Sequence, residues 1–216
     1  MPSIDFRFYL VTDRERCAPR SLLAVVREAC DAGVRAVQLR EKDLSRHELE
    51  DYVARIAEIS TGRGAKLIVN RSRPLEGTEE TFLAASMGVS GFHFPDSAPF
   101  PLELRERFPK ILVGMSTHSR ERAVAAATEG ADFITFGPVF ATPSKAQYGP
   151  PQGIDALREV CTAARVPVFA VGGVTPENTR ACIDAGAHGV AVIGAVMNAD
   201  DITDVMRSFR RALGSL

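Results

Sequence analysis

Gln38, Arg40 and Lys42 stand at alternate positions in Val37-Gln38-Leu39-Arg40-Glu41-Lys42-Asp43, where a short apolar run ends. An amide and two cations on one side of an extended segment suit an anion, because Arg offers a planar fork and Lys a compact charge. Asn70 and Arg71 close a second apolar run, and Ser116-Thr117-His118-Ser119 follows a third. Of these, His118 is the candidate general acid/base, since imidazole exchanges protons near neutral pH. Ser119 reads as a helix cap. His93 lies inside another run and reads as a packed, hydrogen-bonded histidine. Gly172 and Gly173 end Val168-Phe169-Ala170-Val171, just before a Thr175-Pro176 helix start. Lacking Cβ, they let backbone N–H groups approach a ligand, and a helix N-terminus favours an anion there. Ile193 and Gly194 add small-residue backbone after the last run. Thr142, Ser144 and Lys145 lie in the Pro-, Gly- and Ser-rich stretch 138–152, long enough to be a lid that brings a lysine over an anion. The chemistry indicated is a site for a small phosphorylated molecule, with His118 as the acid/base candidate.

Something must hold these groups at one place. Short apolar runs alternate with amphipathic stretches. Runs at 8–11, 36–39, 66–69, 90–94, 111–114, 133–137, 168–171 and 189–193 read as strands, apolar on both faces as in buried parallel sheets. Stretches at 22–32, 45–60, 79–87, 102–108, 119–129, 154–164, 179–185 and 202–213 have helical spacing. Ser45 with Glu48 makes a capping-box pattern, and Gly33 and Gly130 sit where helices stop. Eight such units predict a closed (β/α)8 TIM barrel over 1–216 as a single domain, with an open doubly wound sheet as the alternative. In a barrel every candidate above falls at the carboxyl ends of the strands, where active sites gather.

A net charge of −1 gives no reason to expect nucleic acid. No apolar run is long enough to span a membrane, and the start lacks a signal-peptide pattern, so a cytoplasmic protein is expected. The four cysteines include no CxxC pair, so reduced thiols and no zinc are expected. GxGxxG is absent after the first run, which argues against a nucleotide redox cofactor.

Tyr9-Leu10-Val11-Thr12-Asp13, the Gln38–Asp43 segment, Ser116–Ser119, Gly130-Ala131-Asp132, Phe136-Gly137-Pro138-Val139-Phe140, Thr142–Lys145 and Val171–Val174 occur in an order that resembles the thiamin phosphate synthase superfamily across nearly the whole chain. The resemblance implies two branches. A synthase joins a pyrimidine diphosphate to a thiazole phosphate with Mg²⁺ and releases pyrophosphate. A tautomerase aromatises a carboxylated thiazole phosphate without metal. Carried over, Gln38, Arg40, Lys42, Asn70, Ser116 and Lys145 would hold the pyrimidine diphosphate. Thr142, Ser144, Gly173, Ile193 and Gly194 would hold the thiazole phosphate. The two Mg²⁺-binding aspartates of the synthase correspond to Arg71 and Ala98, with Asp96 two residues early. A guanidinium cannot bind a cation, though it can pair with a phosphate or carboxylate.

The missing acids put the tautomerase first: no cofactor, a phosphorylated thiazole as substrate, His118 as the proton carrier and Arg40 or Arg71 on the carboxylate. The alternative is a synthase that needs Mg²⁺, with Asp96 or Asp43 replacing the lost ligands. A third reading is a non-catalytic ligand-binding homologue. A homodimer is compatible with all three.

Overall fold

The computed structural model describes residues 4–71, 83, 87–142 and 150–214. Eight parallel strands close into a barrel in chain order. They are β1 (Phe8–Val11), β2 (Ala36–Leu39), β3 (Lys66–Asn70), β4 (Gly91–Phe94), β5 (Leu112–Thr117), β6 (Phe133–Phe136), β7 (Val168–Val171) and β8 (Gly189–Val192). Phe8 pairs with Val190 and Leu10 with Val192, so β1 seals against β8. That pairing excludes the open sheet. The outer layer is α1 (Leu22–Asp31), α2 (Arg46–Thr61), α3 (Leu102–Arg107), α4 (Arg120–Glu129), α5 (Gly153–Ala163), α6 (Pro176–Asp184), α7 (Gly194–Met197) and α8 (Ile202–Leu213). The fold is the (β/α)8 TIM barrel. The helix expected at 79–87 lies outside the described residues apart from Leu83 and Met87.

Local chemistry explains the boundaries. The Ser45–Glu48 capping box forms, and Gly130 takes the left-handed conformation that ends α4. In α8, Ile202, Met206, Phe209 and Leu213 recur at helical spacing and all are buried. Inside the barrel, Phe6, Tyr9, Phe133 and Phe169 fill the lower levels, with Phe6 stacked on Phe169 at 5.2 Å between ring centroids. A second apolar layer lies between strands and helices.

Two elements differ from expectation. β5 runs on through Ser116 and Thr117, which the sequence assigns to a loop. Pairing holds them there, with Ser116 opposite Thr135 and Thr117 opposite Phe136. Thr117 also donates from Oγ1 to the Thr135 carbonyl at 3.0 Å. The short α7 directly after β8 was not expected, because four residues carry too little periodicity to be seen.

Candidate active site

Above the aromatic levels the barrel interior turns polar. Gln38 is buried and donates from Nε2 to the Tyr9 hydroxyl at 2.8 Å. Its Oε1 accepts from Asn70 Nδ2 at 3.3 Å, and the same Nδ2 donates to the His93 carbonyl at 3.3 Å. Both Asn70 amide hydrogens are thereby used, so its Oδ1 is what the side chain offers a ligand. Gln38 keeps a second Nε2 hydrogen. Burial raises the Tyr9 phenol well above its ordinary value, against the lowering effect of the Gln38 bond. Tyr9 is therefore a neutral anchor for the amides.

Beside them, His93 Nε2 lies 3.0 Å from Ser116 Oγ and 3.5 Å from Thr135 Oγ1. The imidazole is 1% exposed. Burial, helped by the charge of Arg40, pushes its pKa down to about 3, so it is neutral at physiological pH. Arg40 follows β2 two residues beyond Gln38, and its backbone N–H is held by Thr12. No ion pair of Arg40 exists among the described residues.

The neighbouring acids are already engaged. Thr12 Oγ1 donates to Glu41 at 2.6 Å and accepts the Arg40 N–H at 2.9 Å. Arg14 binds Glu41 at 3.4 Å and both oxygens of Asp43. Asp96 Oδ1 accepts the His118 backbone N–H at 3.1 Å. Its loop is tied down by Arg122, which donates to the Asp96 carbonyl at 3.1 Å and the Ala98 carbonyl at 3.2 Å. Among the described residues no three acids, histidines or cysteines stand together. With Arg71 and Ala98 at the acidic positions and Asp43 and Asp96 committed elsewhere, the described donor set does not fit the Mg²⁺ that the resemblance implies.

His118 is exposed and its Nδ1 bonds the Gly137 carbonyl, so Nδ1 carries the proton and Nε2 the lone pair.

Across the mouth, β7 ends in Gly172 (φ 92°) and Gly173 (φ 65°). The sequence suggests that glycine leaves room here for a ligand. The structure fills that room with chain: a Cβ on Gly173 would lie 2.6 Å from the Ala141 carbonyl oxygen and 2.8 Å from Phe140 Cβ. Val139 N–H bonds the Val171 carbonyl at 2.9 Å, and Phe140 N–H bonds the Gly172 carbonyl at 3.0 Å. Asn178 caps α6 and donates to the Gly173 carbonyl at 2.9 Å. The carbonyls of the pair are thus used inside the fold. The N–H groups of Gly173, Val174, Gly194 and Ala195 donate to no group among the described residues. They are the donors available to a phosphate.

Sequence reasoning overlooked Arg16. Its Nη1 lies 3.7 Å from where a Gly194 Cβ would be, and its Nε pairs with Asp13 at 2.8 Å. A charged surface turn carries no sequence signal of such proximity. Thr135 was missed because a strand hydroxyl looks like any other. Gln38, Arg40, Asn70 and Ser116 are gathered on the β2–β5 arc, and Gly172, Gly173, Ile193 and Gly194 on the β7–β8 arc. Lys42 is exposed, while Arg71 and Thr142 are half-buried at the rim. Ser144 and Lys145 lie outside the described residues.

Residues 8–196 match the family model described as thiamine monophosphate synthase. A thiamine-phosphate synthase of Moorella thermoacetica is 33% identical over 99% of this chain and 97% of its own. One of Methanoculleus marisnigri is 37% identical over 96% and 95%. The solved thiamine phosphate pyrophosphorylase of Pyrococcus furiosus superposes with a TM-score of 0.82, at 26% identity over 96% of this chain and 95% of its own. These relatives bear the synthase name, so they favour the reading that the sequence put second and lend nothing to the tautomerase branch it put first. Among the described residues no helix is long and apolar enough to cross a membrane.

Proposed function

The chain belongs to the thiamine monophosphate synthase family, and we propose that it is a thiamine-phosphate synthase, joining a pyrimidine diphosphate to a thiazole phosphate and releasing pyrophosphate. The observation that carries this is the pair of separate subsites. The buried Gln38 amide and the half-buried Asn70 amide present an N–H donor beside a carbonyl acceptor. That pattern complements the ring nitrogen and amino group of an aminopyrimidine. The unused N–H groups of the β7–β8 arc suit the phosphate of a second molecule. A one-substrate tautomerase has no use for the amide floor.

In this reading the thiazole ring forms a bond to the methylene carbon of the pyrimidine while the carbon–oxygen bond to the diphosphate breaks. The electron pair leaves with pyrophosphate. Arg40 and the Ser116 hydroxyl meet the charge that grows on the leaving group, the kind of stabilisation that lowers a barrier most. Holding both reactants in one mouth supplies orientation. The deep placement of the amides, below the charged rim, keeps the uncharged ring inward and the diphosphate outward. A cytoplasmic location goes with this reading, supported by four free thiols that are buried or half-buried.

The test is to mix the purified full chain with both substrates and follow pyrophosphate release. Turnover that falls about tenfold or more in Gln38→Ala and, to a rate still measurable, in Ser116→Ala is expected; release by the unaltered chain at the uncatalysed rate would end the proposal. One observation favours the tautomerase as a second reading: His118 Nε2 carries a lone pair at the mouth beside a donor set that does not fit Mg²⁺. Isomerisation of the carboxythiazole phosphate, followed by NMR and lost in His118→Ala, would establish it in place of the first.

A further inference from the structure

The mechanism above uses Ser116 but leaves His93 idle, although His93 is buried among polar groups. We infer that His93 is a positioning residue, fixing the Ser116 hydroxyl as a hydrogen-bond donor aimed into the barrel mouth. This rests on the reading that Ser116 touches the pyrimidine diphosphate.

The argument begins with the orphan nitrogen. His93 Nδ1 is buried and has no partner. It faces Gly114 and the Phe133 ring, and a Cβ on Gly114 would come within 2.6 Å of it. A neutral imidazole has one N–H and one lone pair. A buried donor without a partner is rarer in folded proteins than an under-used acceptor. The lone pair therefore belongs on Nδ1 and the proton on Nε2. Nε2–H then donates to Ser116 Oγ at 3.0 Å. Thr135 Oγ1 cannot donate to a protonated Nε2, so its hydrogen goes to the same Ser116 Oγ, 3.5 Å away. With two donors directed at Oγ from the strand side, the Ser116 hydrogen is left pointing away from both, into the mouth. A hydroxyl that usually rotates freely is held as a donor.

The surroundings also keep the ring from taking a second proton. Protonating Nδ1 would bury a charge against an aromatic ring and a glycine backbone, with the Arg40 cation nearby. Tyr9, whose ring centroid lies 5.9 Å away, is neutral and offers no counter-charge. The consequence is a statement about specificity: the substrate atom at Ser116 is an acceptor, as an oxygen of a departing diphosphate is, and never a donor.

Two measurements test this on the full chain. Long-range proton–nitrogen NMR of ¹⁵N-histidine-labelled protein, with His93→Gln identifying the signal, should show a neutral Nε2–H ring from about pH 5 to about pH 8. An Nδ1–H ring, or one that titrates in that range, overturns the inference. Coupling is then measured as pyrophosphate release. The Gln amide reaches the Nε2 position, so His93→Gln should keep kcat within about threefold. The shorter Asn cannot reach, so His93→Asn should lose about tenfold or more in kcat with KM little changed. In a Ser116→Ala background both changes should cost nothing further; a His93→Asn loss of the same size there means a structural role and overturns the inference. If His93→Asn does not fold, the NMR result and His93→Gln decide. If the unaltered chain does not couple the substrates, the synthase reading falls, while the tautomer measurement still upholds or overturns the positioning.

Discussion

Gly173→Ala separates a glycine needed for its conformation from one needed for its emptiness. Gly173 and Gly64 have nearly the same backbone, φ +65° and +66°. An alanine at either position pays the left-handed penalty of about 1–2 kcal/mol. At Gly64 nothing lies within 4 Å of the new Cβ, so the penalty ends there. At Gly173 the Cβ meets a backbone oxygen at 2.6 Å and a Cβ at 2.8 Å. Neither is the far end of a flexible side chain, so segment 138–141 must move, and overpacking of this kind costs about 1–3 kcal/mol more. For a chain of this size each kcal/mol moves Tm by roughly 2–4 °C. Thermal melting by circular dichroism should therefore place Gly173→Ala roughly 2–12 °C below Gly64→Ala. The displaced segment runs beside the available N–H groups, so inorganic phosphate should also bind less tightly to Gly173→Ala, and equally well to Gly64→Ala. Equal melting temperatures would refute the crowding argument and return Gly173 to the simpler role of a turn glycine.

Other perturbations follow from the same geometry. The His93 pKa is lower in the folded chain than in the unfolded one, so between pH 6.5 and about 3 the unfolded state takes the proton and the fold loses stability as pH falls. Denaturant titrations should show a loss of roughly 4 kcal/mol across that window that is absent from His93→Gln; parallel profiles would refute the buried, neutral assignment. Asp132, its side chain 1% exposed, holds Arg105 and accepts the Val113 N–H at 2.7 Å. Arg105→Met should cost about 3–5 kcal/mol by stranding that carboxylate, and Arg105→Met with Asp132→Asn less; a double change as costly as the single one contradicts this. Arg40→Met should weaken pyrophosphate binding about tenfold or more by calorimetry without lowering Tm, and unchanged affinity would remove Arg40 from the diphosphate subsite. Chelating divalent ions should change the unaltered chain's pyrophosphate affinity by less than about threefold; a larger fall would mean that acids outside the described residues supply a metal site.

The barrel was legible because its strands are apolar on both faces and its helices are capped by local signals such as Ser45 with Glu48. The candidates at strand ends were legible for a topological reason: in this fold a polar residue finishing an apolar run has only the mouth to occupy. What stayed hidden was register and direction. Ser116 looked like a loop residue because only its pairing with Thr135 extends β5 that far. Gly173 looked like an opening for a ligand, because sequence cannot say that residues 140 and 141 occupy the space beside it. Arg16 and Gly194 are brought together by barrel closure between the first and last strands, far beyond any local pattern.

The disagreement between the expected and the favoured reaction has the same origin. Arg71 and Ala98 report on a metal, and their chemistry is plain from residue type alone. They say nothing about the other half of the reaction. That half depends on which way two amides, one buried and one half-buried, point. Gln38 gives Nε2 to Tyr9 and so turns Oε1 toward Asn70. Asn70 then spends both hydrogens on Gln38 and the His93 carbonyl and must present an acceptor. Reversing either amide would set oxygen against oxygen or strand a buried donor. An acceptor beside a donor at this depth is the pattern that the proposed aminopyrimidine would need. In the proposed reading, losing the acids would leave a diphosphate's charge to Arg40 and Ser116 without removing the seat proposed for the pyrimidine.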